Sequence, residues 1–170
     1  MPGMWHRQLA APALLLLMAG QVQALPTQTF QVSASVVAGC VISGINTGVF
    51  GTLDFGTQSG VSRQNVSASF VQSTSINLAC TPGTSLNMSI NGGSNFGTSR
   101  NLKLANFSNT IAYQLFSNAS RTQAIPVNQN VTLSYANANN ITLPIYGQLQ
   151  LPGPTRAGTY TDTLTVTLSW

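Results

Sequence analysis

Beside its many hydroxyls, the chain has few side chains that could activate a nucleophile or bind a metal. They are Cys40 and Cys80, Asp54 and Asp162, the single lysine Lys103 and the single histidine His6, and there is no glutamate. His6 falls in a stretch that reads as a secretory signal, so the mature chain has no imidazole and a Ser-His-Asp triad cannot be assembled. Hydrolysis by paired carboxylates would need the two aspartates. Asp162 interrupts a strand-like run, however, and Asp54 sits in a Gly-flanked loop. A Ser-Lys pair through Lys103 has no motif behind it. Lys103 reads as a solvated surface charge and Asp162 as a carboxylate that accepts hydrogen bonds from nearby groups. The expectation is a non-enzymatic protein with no small-molecule substrate, no cofactor and no metal.

The cysteines point to structure instead. Metal sites want three or four ligands at short spacing, and redox pairs usually stand two residues apart. An even pair in an exported chain closes into a disulfide. Joining Cys40 to Cys80 closes a loop of about 41 residues and stabilises the fold by roughly 4 kcal/mol in the chain-entropy account.

Export is read from residues 1–24. His6 and Arg7 give a basic start, Leu9 through Ala19 an apolar run, and Val22-Gln23-Ala24 the small residues of a cleavage site. The run is short of the ~20 residues that span a bilayer. The mature chain beyond Ala24 is about 146 residues, the size of one domain.

Only 5% of residues are charged while 43% are apolar, against about 25% charged in an ordinary soluble protein. That combination excludes disorder, which pairs low hydrophobicity with high charge. A neutral polar surface suggests close packing against other copies. The net charge of +4 rests on only six Lys and Arg, scattered along the chain. No cluster neutralises a run of phosphates, so no nucleic-acid partner is expected. Six N-x-S/T sequons, beginning at Asn65, Asn87, Asn106, Asn118, Asn130 and Asn140, are what chance gives in a chain this rich in Asn, Ser and Thr.

Period-two alternation runs through the mature chain and predicts half-buried strands. The last run sets Tyr160, Leu164, Val166, Leu168 and Trp170 on one face and Thr161, Thr163, Thr165, Thr167 and Ser169 on the other, with Asp162 breaking the apolar row. Further strands are predicted at 67–71, 75–80, 86–90, 111–116, 131–135 and 141–151. Asn91-Gly92-Gly93 predicts a tight hairpin or short loop, Thr81-Pro82-Gly83 another turn, and Pro152-Gly153-Pro154 divides the last two strands. Seven or so strands and no helical repeat predict an antiparallel sandwich.

The segment before the first cysteine is alternating too: Phe30, Val32, Ala34 and Val36 face one way, Gln31, Ser33 and Ser35 the other. Two readings fit it. It is either the first strand of its own sandwich, or a strand lent to a neighbour's sheet, where backbone hydrogen bonds give affinity and pockets for alternate side chains give specificity.

Several motifs in order carry a resemblance. They are the alternating segment ending in Gly39-Cys40, Val49-Phe50-Gly51-Thr52-Leu53-Asp54-Phe55-Gly56, Ile76-Asn77-Leu78-Ala79-Cys80, Leu143-Pro144-Ile145-Tyr146-Gly147, and Ala157-Gly158-Thr159-Tyr160-Thr161-Asp162-Thr163-Leu164-Thr165-Val166. Together the chain resembles the spore coat protein U-like domain of archaic, Csu-type chaperone–usher pilus subunits. The resemblance implies an all-β, incomplete immunoglobulin-like antiparallel sandwich completed by donor-strand exchange. The chain would divide into a signal peptide (1–24), a donor segment (25–37) and a pilin-like domain (38–170). It further implies that Phe30, Val32, Ala34 and Val36 plug a neighbour's groove, that Cys40 and Cys80 form the disulfide, and that Leu164, Val166, Leu168 and Trp170 line the acceptor groove. The implied partners are other pilus subunits, a periplasmic chaperone and an outer-membrane usher. The implied destination is a cell-surface pilus serving attachment and biofilm formation, with this chain a shaft or minor subunit. The competing reading is a stand-alone secreted binding module, for carbohydrate or in a coat.

Overall fold

The computed structural model describes residues 30–44, 49–74 and 76–170. The signal segment therefore lies outside the described residues. Two units are distinguished, Met1–Ser35 and Val36–Trp170. Of the first, residues 30–35 are described. They belong to no strand, and Phe30 and Val32 are 86% and 85% exposed.

Every regular element described in the second unit is a strand: β1 (Cys40–Gly44), β2 (Gly51–Leu53), β3 (Asn65–Gln72), β4 (Ile76–Cys80), β5 (Leu86–Ile90), β6 (Arg100–Leu104), β7 (Thr110–Phe116), β8 (Val131–Leu133), β9 (Tyr146–Gln150), β10 (Tyr160–Thr161) and β11 (Val166–Ser169). A six-stranded sheet runs β10-β6-β7-β9-β3-β2, a three-stranded one β11-β5-β8, and β1 pairs with β4. All ladders are antiparallel. The alternation predicted from sequence is what builds the core. On β5, Leu86, Met88 and Ile90 are buried while Asn87 and Ser89 turn outward; on β7, Ile111, Tyr113 and Leu115 are buried while Ala112 and Gln114 turn outward. The two inward faces meet in a single apolar cluster, the arrangement that makes two half-buried sheets into a sandwich.

Three expectations need correcting. The run 141–151 is a ladder only at Tyr146–Gln150. Burial still alternates through Ile141, Leu143 and Ile145, but Pro144 has no N–H to give a ladder. The terminal run is two strands in different sheets: β10 pairs with β6 and β11 with β5. Of the two readings of Asn91-Gly92-Gly93 the loop holds and the hairpin does not, because β5 and β6 lie in different sheets and residues 91–99 cross between them. Gly93 takes a positive φ of 89° there, and a Cβ on it would run into the Asp162 carboxylate. Strands β1 and β6 were not predicted, and β2 was expected only as part of the family motif at 49–56. β1 and β2 carry few buried residues, and β6 buries an arginine.

The expected disulfide is present. Cys40 and Cys80 stand directly opposite on β1 and β4 and are bonded, 40 residues apart in sequence. β1 buries little surface of its own, so the covalent link carries much of its attachment. Replacing both cysteines by serine is expected to lower unfolding free energy by about 3–4 kcal/mol. Urea denaturation checks this, and amide exchange should show the largest loss of protection at 40–44.

Candidate functional site

The sandwich is open along one side. β2 is the outermost strand of the six-stranded sheet and pairs only with β3; β11 is the outermost strand of the three-stranded sheet and pairs only with β5. Both line one cleft of about 940 Å³. Its floor is the buried core itself: Leu78, Ile90, Tyr113, Leu115 and Ile145. One wall is Phe50, Leu53 and Phe55 with Phe70 behind them, and the Phe50 and Phe70 rings are stacked at 6.1 Å. The opposite wall is Leu164, Val166, Leu168 and Trp170, the last 61% exposed. Cys40 and Ile42 of β1 also line it. Half-buried apolar walls thus stand over a buried apolar floor between two unpaired strand edges. Unpaired edges of this kind pair readily with another chain.

Each wall has a local cause. Gly51, Leu53 and Phe55 alternate with Thr52 and Asp54, so the apolar members share one face. A Cβ on Gly51 would collide with the Phe70 ring, and one on Gly147 with Leu53 and Phe55. Both glycines let this short edge strand lie flat on its neighbours. Across the cleft, the β10–β11 region must leave one sheet and join the other, and Asp162 makes the crossing. Its Oδ1 accepts the Asn95 N–H (3.1 Å), the Thr163 N–H (2.9 Å) and an Asn95 Nδ2–H (3.1 Å), and its Oδ2 accepts the Tyr113 hydroxyl (2.8 Å). The sequence placed Asp162 as an acceptor, and the structure supplies its donors.

Beneath this lies a cation that sequence reasoning counted among scattered charges. Arg100 is 5% exposed. Its guanidinium donates to the carbonyls of Asn91 (2.9 Å), Ile125 (2.8 Å), Ile90 (2.9 Å) and Pro126 (3.3 Å). Asn91, Ile125 and Pro126 lie in chain that passes between sheets, and Ile90 is the last residue of β5, whose carbonyl also accepts the Asn128 N–H at 2.9 Å. Burial pulls the Arg100 pKa below its usual value, while Tyr113 and Asp162 hold it up. Tyr113 is driven far above the ordinary phenol value, first by burial and then by its hydrogen bond to Asp162.

The four residues assigned to the groove by sequence, Leu164, Val166, Leu168 and Trp170, all line the cleft. Phe50, Leu53, Phe55, Phe70 and Tyr113 were missed as wall and floor, although the alternation through 51–55 carried the signal. Phe30, Val32 and Ala34 lie in the first unit and are exposed, as is Val36. Among the described residues no group of three or more His, Cys, Asp or Glu could hold a metal ion.

The model of the Spore Coat Protein U domain matches residues 26–167. The chain belongs to the Spore Coat Protein U domain family. Among solved structures, this Spore Coat Protein U domain is similar to the chaperone–tip adhesion subunit pre-assembly complex CsuC–CsuE of the archaic chaperone–usher Csu pili of Acinetobacter baumannii. The TM-score is 0.50 at 18% identity, covering 80% of this chain and 41% of that one. It is also similar to a chain of a chaperone–tip adhesin complex in CFA/I fimbriae biogenesis, with a TM-score of 0.37 at 19% identity over 76% of this chain and 41% of that one. The chain thus spans about two-fifths of the length of these matched chains. The Csu match shows the all-β fold. No curated protein matches.

The Tyr113 shift sets an alkaline limit. A phenol whose folded pKa is raised contributes stability that is complete below the unfolded value of about 10 and is lost as pH climbs above it. The urea midpoint is expected to stay level from about pH 7 to about pH 9 and to fall beyond about pH 10. Tyr113→Phe should lower the midpoint at neutral pH, since the Asp162 carboxylate loses a donor worth about 1.5–3 kcal/mol, and should make the alkaline fall shallower.

Proposed function

We propose that this Spore Coat Protein U domain is a structural subunit of an archaic chaperone–usher pilus, polymerising by insertion of one copy's N-terminal segment into the next copy's cleft. The observation that carries the reading is the cleft itself, an apolar gap between the unpaired edges of β2 and β11. Residues 30–36 have the complementary form: Phe30, Val32, Ala34 and Val36 on one face of a segment that belongs to no strand. Seated between the edges, the segment would gain backbone hydrogen bonds and bury Phe30, Val32 and Val36, each contributing about 1.5–3 kcal/mol gross. Ordering the segment offsets part of this. Ala34 would meet a shallower pocket.

Such a contact joins two different surfaces and does not close on itself, so it builds a fibre. An open cleft also needs cover before assembly. The similar Csu structure is a chaperone–subunit complex, and a periplasmic chaperone occupying the cleft is the corresponding role here. An outer-membrane usher would then exchange chaperone for neighbour. Export by the N-terminal signal and a place in a surface fimbria acting in attachment and biofilm formation complete the proposal.

Two variants separate donor from acceptor. Val32→Asp puts a charge on the donor face, and Val166→Asp puts one in the cleft wall. Mature chains carrying either change are expected to fail to form ladders in size exclusion. Their mixture should yield dimers through the one intact donor and the one intact cleft. Chains truncated before Val37 should behave as the Val32→Asp chain does. A mature wild-type chain that runs as a chaperone-free monomer, with the truncation costing only stability, would sink the proposal in favour of a stand-alone binding module.

A further inference from the structure

Five Lys and Arg lie beyond the signal segment, and they look dispersed in sequence: Arg63, Arg100, Lys103, Arg121 and Arg156. Folding sorts them. Arg100 is buried and Arg121 half-buried, while Arg63, Lys103 and Arg156 are exposed. Contacts bring these three to one end of the six-stranded sheet. The Arg63 guanidinium donates to the Pro152 carbonyl at 3.0 Å, and residue 60 accepts the Thr155 N–H at 2.9 Å, so the loop before β3 lies along the loop before β10. Arg156 belongs to that second loop and reaches the β6–β7 turn, with its guanidinium 3.8 Å from the centroid of the Phe107 ring. Lys103 is the penultimate residue of the strand entering that turn and stands opposite Thr161. None of the three lines the cleft, and the remaining carboxylates are elsewhere: Asp162 is bonded within the fold, and Asp54 caps its own turn at Gly56 N–H (2.8 Å).

Arg156 is the distinctive member. Its guanidinium rests over the Phe107 ring, 3.8 Å from the centroid, and no hydrogen bond or ion pair among the described residues uses its N–H groups. A guanidinium restrained by an aromatic face, with its donors unspent, can meet a carboxylate in bidentate fashion. Phe107 stays 42% exposed, enough to offer an apolar edge to a sugar ring. Three cations are too few for the dense phosphates of a nucleic acid, where tight binding takes about 6–10 contacts. They suit a polymer with one carboxylate per ring.

We propose that Arg156, packed on Phe107 at the sheet end that also carries Arg63 and Lys103, is a binding site for acidic, uronate-bearing polysaccharide. A single site of this size binds weakly. Copies repeated along a fibre would gain by avidity, though the site itself does not depend on polymerisation.

The test uses the full mature chain immobilised at low density, with alginate as the uronate polymer, dextran as the neutral one and duplex DNA as the phosphate one. Alginate should bind at low salt and be released at high salt, and dextran should not bind. Arg156→Gln should weaken alginate binding at least about fivefold, with Arg156→Lys in between because it keeps charge but not the fork. Adding Lys103→Gln to Arg156→Gln should remove the remainder. An unchanged melting curve shows that these exposed substitutions leave the fold intact. Alginate binding indifferent to Arg156→Gln, equal binding of dextran, or tighter binding of DNA would each overturn the proposal. A uronate oligomer too short to bridge two copies should bind Val32→Asp, which tests the donor segment, with the wild-type affinity per chain, since avidity plays no part there.

Discussion

The structure depends on how one chain passes between two sheets without stranding its polar backbone. A sandwich gains its stability from apolar faces pressed together, and each crossing carries unpaired N–H and C=O groups through or beside that apolar space. Here three crossings meet, residues 91–99, 117–130 and 162–165. One carboxylate serves the first and the last, and one guanidinium serves the first two. Asp162 gathers the N–H groups of Asn95 and Thr163, and Arg100 gathers the carbonyls of Ile90, Asn91, Ile125 and Pro126. Tyr113, from the centre of the six-stranded sheet, ties the carboxylate to the core. The polar cluster therefore sits where the two sheets are joined, and removing Arg100 or Asp162 leaves partners without a hydrogen bond in more than one segment.

That junction also shapes the cleft. By moving β11 into the three-stranded sheet, the Asp162 crossing places Leu164, Val166 and Leu168 across from Phe50, Leu53 and Phe55 without bringing the two edges into hydrogen-bonding contact. A sheet edge and half-buried apolar walls are then left accessible together. Either alone is ordinary on a protein surface; the strand insertion proposed above would bring backbone groups for the edge and side chains for the apolar walls. The low charge of the chain is consistent with this arrangement, since charges on edge strands are a common means of preventing such pairing.

The Spore Coat Protein U family match and the fold agree on architecture, and particular residues show how much of it could be read from the chain. Strands β4, β5 and β7 were legible because their inward faces are continuous Leu, Ile, Met and Tyr. β6 was not legible, because its inward residue at position 100 is an arginine, and a strand that buries a cation for the sake of other segments' carbonyls does not look apolar. The run 141–151 was read as longer than its ladder, since side-chain alternation survives a proline that hydrogen bonding does not. The cleft wall contributed by β11 was legible from alternation and family resemblance. The wall contributed by β2 was present in the pattern but short, and its depth depends on Gly51 and Gly147 lying under neighbouring rings.

By itself the sequence determined the class of the protein: all-β, disulfide-linked, poor in acid–base groups and rich in alternation, because side-chain period and composition are local properties. Only the tertiary structure decided which sheet each strand joins, that Asp162 and Arg100 form one junction, that β2 and β11 leave an apolar gap between them, and that three dispersed cations share one end. Those outcomes depend on which distant segments meet, and strand partnership is set by the packing of the whole core and not by any window of residues.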